Sequence, residues 1–268
     1  FRSIEKEENF RSATSIVALT NKLRSDIQQE PAGDSALNVG SVLLTLIETE
    51  APAGPRGRYT PEQLDQSLSK FDEALQYIGW QNNDEAKRLF LVRQMIARRL
   101  GFSSLQNLFT GVYASNKAQD EYIDGDHFLV KPFIKSLCPL IASLQSGNKK
   151  QIVDILREET PAFDILGINK DRPLKEMLDS AHNLVNELSE IWAERPIGDI
   201  LRYAKEHRLC NISDRLAETL DREPRIEAYD KAIHTEEKSD WLADEFLSMS
   251  TNELLPYYSF VSDHTPLS

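Results

Sequence analysis

The residues best suited to chemistry stand close to the start of the chain, in Glu8-Asn9-Phe10-Arg11-Ser12. An arginine just ahead of a serine-capped helix start is well placed to meet a phosphate, because the guanidinium fork and the positive end of the helix dipole act on the same oxygens. Phe10 beside it offers a flat face on which a base can stack. The other constellations are poorer. His207 and Cys210 have a spacing that two metal ligands can share, but no second pair accompanies them and they read as structural residues. The acidic stretch Asp120-Glu121-Tyr122-Ile123-Asp124-Gly125-Asp126 misses the alternating positions of an EF-hand and reads as a solvated loop. His234 to Asp240 reads as a helix junction. No serine nucleophile elbow occurs, nor a phosphate loop ending in Gly-Lys-Ser/Thr, nor a dinucleotide fingerprint. The chain therefore cannot hold a nucleotide by itself in those ways, and no metal site is expected. A metal-dependent hydrolase is disfavoured because no closely spaced ligand pair recurs.

The composition sets the frame for these residues. With 268 residues, 40% of them apolar and 28% charged, the chain is long enough for one large domain or two ordinary ones with a sizeable core. No apolar run approaches the roughly 18 to 20 residues that span a bilayer. Phe1-Arg2-Ser3-Ile4-Glu5-Lys6 lacks a signal-peptide apolar region, so neither membrane insertion nor export is expected. Cys138 and Cys210 are the two cysteines, without a partner motif, which makes the cytoplasm the default compartment. A formal net charge of −12 argues against a broad basic coat for nucleic acid, although a local channel of Lys and Arg remains compatible with it.

Two kinds of pattern position the candidate residues. Up to about residue 102 helical and strand signals alternate. Ile16, Val17, Leu23 and Ile27 share a helical face after Ser12, and Pro31-Ala32-Gly33 breaks it. Val42 to Ile47 reads as a buried strand, and Ala51 to Gly57 as an irregular loop. Thr60-Pro61-Glu62-Gln63 has the form of a capping box, followed by Leu64, Leu68, Phe71, Leu75 and Ile78 at helical spacing. Arg88 to Arg93 reads as a second strand, and Met95 to Leu100 as a helix stopped by Gly101. Strands alternating with helices point to a piece of a parallel α/β sheet, and two strands alone imply missing neighbours. Beyond residue 103 the pattern is almost purely helical. Its longest seam runs Leu174, Leu178, Ala181, Val185, Leu188 and Trp192, with shorter segments around 128–145, 149–158, 198–207, 212–222, 225–234, 239–248 and 251–261. No fixed repeat is present.

Asn9-Phe10-Arg11-Ser12, followed by an Ile-Val-rich helix with Asn21, resembles motif IV of superfamily 1 helicases of the UvrD/Rep type, where the pattern reads Asn-Tyr/Phe-Arg-Ser. Leu89-Phe90-Leu91-Val92-Arg93 resembles the strand that follows in the second RecA-like domain of that family. The helical region resembles in position the insertion that this domain carries. The family would continue past Ser268 with a Thr-x-His-x-x-Lys-Gly segment, its motif V. The implied fold class is mainly α: an incomplete RecA-like α/β portion with few parallel strands over 1–102, a larger all-helical insertion domain over 103–262, and a return toward the RecA-like domain over 263–268.

The resemblance further implies that Phe10 packs against the adenine and that Arg11 is the catalytic arginine reaching the γ-phosphate across the cleft. ATP and Mg would belong to the intact parent, with none expected on this chain alone, which lacks the phosphate loop, the Asp-Glu magnesium motif and the final arginine motif. The expected partners are DNA, single-stranded or at a duplex junction, and the missing first RecA-like domain. Arg93, Arg98 and Arg99, and the pair Lys149-Lys150, are the candidates for DNA contact, though each reads more readily as a solvated face than as a phosphate clamp. The alternative from another class is a non-enzymatic helical binding or scaffold module in which Arg11 is an ordinary surface residue.

Overall fold

Parallel pairing, the feature expected of the first hundred residues, is realised in a shorter form and by other residues than the pattern predicts. In the computed structural model, which describes residues 7–54, 57, 59–80, 89, 93–163, 173–222 and 238–264, strand β1 (Glu8–Asn9) pairs in parallel with β2 (Glu30–Pro31). Helix α1 (Thr14–Leu23) connects them, a minimal β-α-β unit. The predicted strand Val42–Ile47 is not formed: these residues have no regular structure and stay exposed, Leu44 at 81% and Leu46 at 86%. A strand is held by the N–H and C=O groups of a neighbour. Among the described residues the sheet consists of β1 and β2, and nothing pairs with 42–47.

The second predicted strand, Arg88–Arg93, lies largely outside the described residues; Leu89 is exposed, and Arg93 opens a helix instead. The capping box is present as read. Thr60 accepts from the Gln63 N–H while the Gln63 side chain accepts from the Thr60 N–H, and α2 (Pro61–Tyr77) starts there with proline in its first turn.

The chain divides into two compact units, Phe1–Ala86 and Lys87–Ser268. In the first, Val17, Ser35 and Leu68 are the buried residues among those described. The second is a helical assembly: α3 (Arg93–Leu100), α4 (Ser103–Thr110), α5 (Asn116–Ile123), α6 (Cys138–Gln145), α7 (Lys149–Glu159), α8 (Leu174–Trp192), α9 (Ile197–Glu206), α10 (Asp214–Asp221), α11 (Lys238–Ser248) and α12 (Leu254–His264). Gly101 ends α3 with φ +89°, as a helix stop does. The segments expected at 149–158, 198–207, 212–222 and 239–248 correspond to α7, α9, α10 and α11, while 225–234 and 265–268 lie outside the described residues.

Two eight-residue helices, α4 and α5, are not among the segments that the sequence pattern predicts. Asp120 to Ile123, read as loop, is the last turn of α5. A π-turn over Phe133–Leu137 precedes α6, with the Cys138 N–H reaching back to the Phe133 carbonyl. Pro139 explains it: proline cannot supply the next ladder hydrogen bond and its ring crowds the carbonyl four residues back, so the ladder widens.

One apolar cluster holds the helical unit together. At its centre the rings of Phe109, Tyr122 and Tyr257 stack, with centroids 4.4 Å and 4.6 Å apart, and the Tyr257 hydroxyl donates to the Tyr122 carbonyl. Phe246 meets Phe109 and Phe133 edge-on, joining α11 to the column. The Glu253 carboxylate accepts from the N–H groups of Ser104 at 3.3 Å and Leu105 at 2.8 Å, capping α4, whose own N-cap Phe102 has no side-chain acceptor. Among the described residues no helix is long and apolar enough to cross a membrane.

Candidate functional site

Asn9 builds the turn that presents Phe10 and Arg11. Its carbonyl accepts the Ala32 N–H at 2.9 Å, which completes the β1–β2 pairing, and Glu30 donates to the Glu7 carbonyl at 2.7 Å. Its side-chain oxygen accepts from the N–H groups of both Arg11 and Ser12 at 2.9 Å, an Asx-type turn that directs the chain sharply off the strand. The amide nitrogen of Asn9 donates to Gln29 Oε1 at 3.0 Å. Asn21, from the middle of α1, clamps the backbone of Gln29 on both sides, donating to its carbonyl at 2.7 Å and accepting its N–H at 2.9 Å. Ser35 adds a hydroxyl bond to the Asn9 carbonyl at 2.8 Å. The loop end of β1 is thus held from the strand, from the helix and from the turn after β2.

On this support both candidate side chains face outward. Phe10 is 61% exposed, and one side of its ring rests on Gly33, where a Cβ would come within 3.1 Å of Phe10 Cδ1. Gly33 has φ +62°, a conformation that glycine takes without penalty, so its type is demanded twice. Arg11 is exposed, and its guanidinium makes no hydrogen bond or ion pair with any described residue. The Arg24–Asp26 pair, at the other end of α1, is self-contained at 2.9 Å. The hydrogen bond from Arg24 holds the Asp26 carboxyl down to about 2.

The helix start differs from the expected one. Ala13, not Ser12, is the N-cap, and no side chain caps the helix. Its first donors are taken instead by backbone: Thr14 N–H by the Asn38 carbonyl at 3.0 Å and Ser15 N–H by the Val39 carbonyl at 3.1 Å. Gly40 permits this crossing, since a Cβ there would sit 2.6 Å from Ala13 Cβ. The N–H groups of Thr14 and Ser15 are therefore occupied, and Ser12 N–H is held by Asn9. Whatever attraction this loop exerts on a phosphate comes from the Arg11 side chain rather than from an open helix end. The helix also stops at Leu23, so Ile27 lies beyond it, and Val17 is its buried residue while Ile16 and Leu23 are exposed.

The remaining candidates are dispersed through the helical unit. Arg93 lies over the Phe260 ring at 5.9 Å, and Arg98 and Arg99 are half-buried and already engaged in contacts. Lys149 and Lys150 open α7, capped by Asn148, and face Asp179 and His182 of α8 across a shallow groove. His207 packs its ring on Tyr203 at 4.3 Å, and burial pushes the Cys210 thiol up to about 12. No group of three potential metal ligands exists among the described residues.

Sequence reasoning missed the residues that hold the loop: Gln29, Gly33, Ser35 and the carbonyls of Asn38 and Val39. Pro31-Ala32-Gly33 was legible as a break, and its glycine was the one available signal that something approaches closely there. Set against known proteins, the chain matches no family model, no curated protein and no solved structure.

Proposed function

We propose that this chain is part of an ATP-dependent DNA helicase or translocase of the UvrD/Rep type, supplying the motif IV side of the ATP cleft together with a helical insertion domain. The observation that carries the reading is the Asn9 turn at the end of a parallel strand, which holds Phe10 and Arg11 outward with the Arg11 guanidinium free of described partners. In this reading the β1–α1–β2 unit belongs to an incomplete second RecA-like domain. The first such domain supplies the phosphate loop and the magnesium ligands. Phe10 offers its open face to adenine, and Arg11 answers the negative charge that develops on the transferred phosphoryl group when the two domains close. Arg93, Arg98 and Arg99 remain candidates for DNA contact, and the protein works in the cytoplasm.

The purified chain is expected to show no ATP hydrolysis with or without single-stranded DNA. In the parent that carries the phosphate loop, Arg11→Ala is expected to lower kcat about a thousandfold or more while ATP still binds. Robust turnover by the isolated chain, or a parent indifferent to Arg11→Ala, would sink the reading. A second reading, a helical binding or scaffold module without nucleotide chemistry, is favoured by the self-sufficient core of the helical unit, and an indifferent Arg11 would select it.

A further inference from the structure

In the helical unit a cavity of about 320 Å³ opens where three helices begin. Lys117 comes from the first turn of α5, Arg215 from that of α10 and Ser239 from that of α11. Each helix start carries the positive end of its dipole. Ser115 and Ser213 already cap α5 and α10, and Asp214 and Asp240 lie in the first turns of α10 and α11, so the dipoles add only modestly to the field of the side chains. Two cations reinforce the field. The Arg215 guanidinium lies over the Phe128 ring at 4.1 Å, which fixes it at the wall, and it forms no ion pair with a described residue. Lys117 Nζ stands 3.5 Å from Glu121, whose carboxylate also lines the cavity and is offset by that lysine.

His127 supplies an independent pointer. It is only 3% exposed, yet its ring lines the cavity. Nδ1 accepts the Leu129 N–H at 3.4 Å, which places the ring proton on Nε2. Burial first, and the Arg215 charge second, lower its pKa to about 4, so the ring is neutral near pH 7. Nε2–H has no acceptor among the described residues and is not sealed from the cavity, so an anion there would supply one.

Arg215 without an ion pair, Lys117 shared with Glu121, three helix starts and a neutral N–H donor converge on this space. They suit an anion with several acceptor oxygens, and the volume leaves room for a sugar-sized group beside it. We infer that this cavity binds a phosphomonoester, either a small sugar phosphate or the 5′-phosphate at the end of a nucleic-acid strand. The inference does not depend on the role proposed for Arg11.

Titration of the intact chain with ribose 5-phosphate and with inorganic phosphate, followed by nuclear magnetic resonance, tests it. Millimolar sugar phosphate is expected to shift the His127 ring and the backbone signals of Lys117 and Arg215. Lys117→Gln and Arg215→Gln should each weaken binding about tenfold, and Arg11→Ala should leave it unchanged. Lys117 is highly exposed, so its variant keeps the test valid if Arg215→Gln perturbs packing over Phe128. Saturation by the sugar phosphate identifies a small-molecule site. Preference for a 5′-phosphorylated oligonucleotide over its 5′-hydroxyl form identifies a strand-end site. No shift at these positions by any of the probes, or binding unchanged in the Lys117→Gln, Arg215→Gln double variant, overturns the inference.

Discussion

The two units of this chain solve the burial problem in opposite ways. The helical unit encloses its large side chains in one continuous cluster, with Phe109, Tyr122, Leu188, Phe246 and Tyr257 at most about 1% exposed. The N-terminal unit keeps Leu37, Val39, Leu43, Leu44 and Leu46 in water and is held near its candidate site mainly by hydrogen bonds of Asn9, Asn21, Gln29 and Ser35. A unit that buries its own apolar surface carries the main favourable term of folding within itself. One that leaves a β-prone run exposed presents surface that pairing would cover. The contrast teaches that the buried apolar surface is concentrated in the helical unit, whereas the candidate residues Phe10 and Arg11 sit on the less buried one.

Substitutions can break or sharpen this contrast. The largest effect is expected for Phe109→Ala, which removes the ring that touches Tyr122, His127 and Phe246 and should cost the helical unit about 3–5 kcal/mol in denaturant unfolding. A loss under about 1 kcal/mol would place the column outside the stabilising core.

Acid should act next, through His127. Its folded-state pKa, about 4, lies below the ordinary value of about 6.5, so the unfolded chain takes up the proton first. The contribution is complete above the unfolded value and is lost as pH falls from about 6.5 toward about 4, on the order of 3 kcal/mol in all. Unfolding midpoints measured across that range should fall, and His127→Gln should flatten the profile. A wild-type profile flat down to pH 4 would contradict it.

A smaller loss, about 2 kcal/mol, is expected for Glu253→Ala, which strips the acceptor from Ser104 and Leu105. Amide hydrogen exchange at those two positions should rise with it, and unchanged exchange would show that the cap contributes nothing. The smallest effect belongs to the other unit: Leu44→Ser should change stability by less than about 0.5 kcal/mol, since Leu44 is already in water. A marked loss would mean that the run is covered in solution.

Legibility from sequence follows the same division. Helices with their own signals were readable: the Thr60 capping box, the Gly101 stop, the long seam of α8 and the Lys149-Lys150 start of α7. The eight-residue α4 and α5 were not, because they are fixed by tertiary partners, Glu253 for one and the aromatic column for the other. Val42 to Ile47 has the composition of a strand, and composition cannot supply the neighbour that makes one. At the candidate site the motif was visible in four consecutive residues. Its supports at Gln29, Gly33 and Ser35 were not, since they are brought to Asn9 by the return of the chain after α1. Lys117, His127 and Arg215 meet only through the packing of α5, α10 and the turn between α5 and the π-turn, a convergence with no local spacing to betray it.

The Glu253 cap also has a consequence for biosynthesis. The donors at the start of α4 are among the first groups of the helical unit to leave the ribosome, and their acceptor is among the last. Tyr257, the outer ring of the stack on Tyr122, emerges later still. The earlier helices can pack on one another, but α4 lacks its cap and the aromatic column its outer ring until the last helices arrive. A chain truncated before residue 253 would lack both.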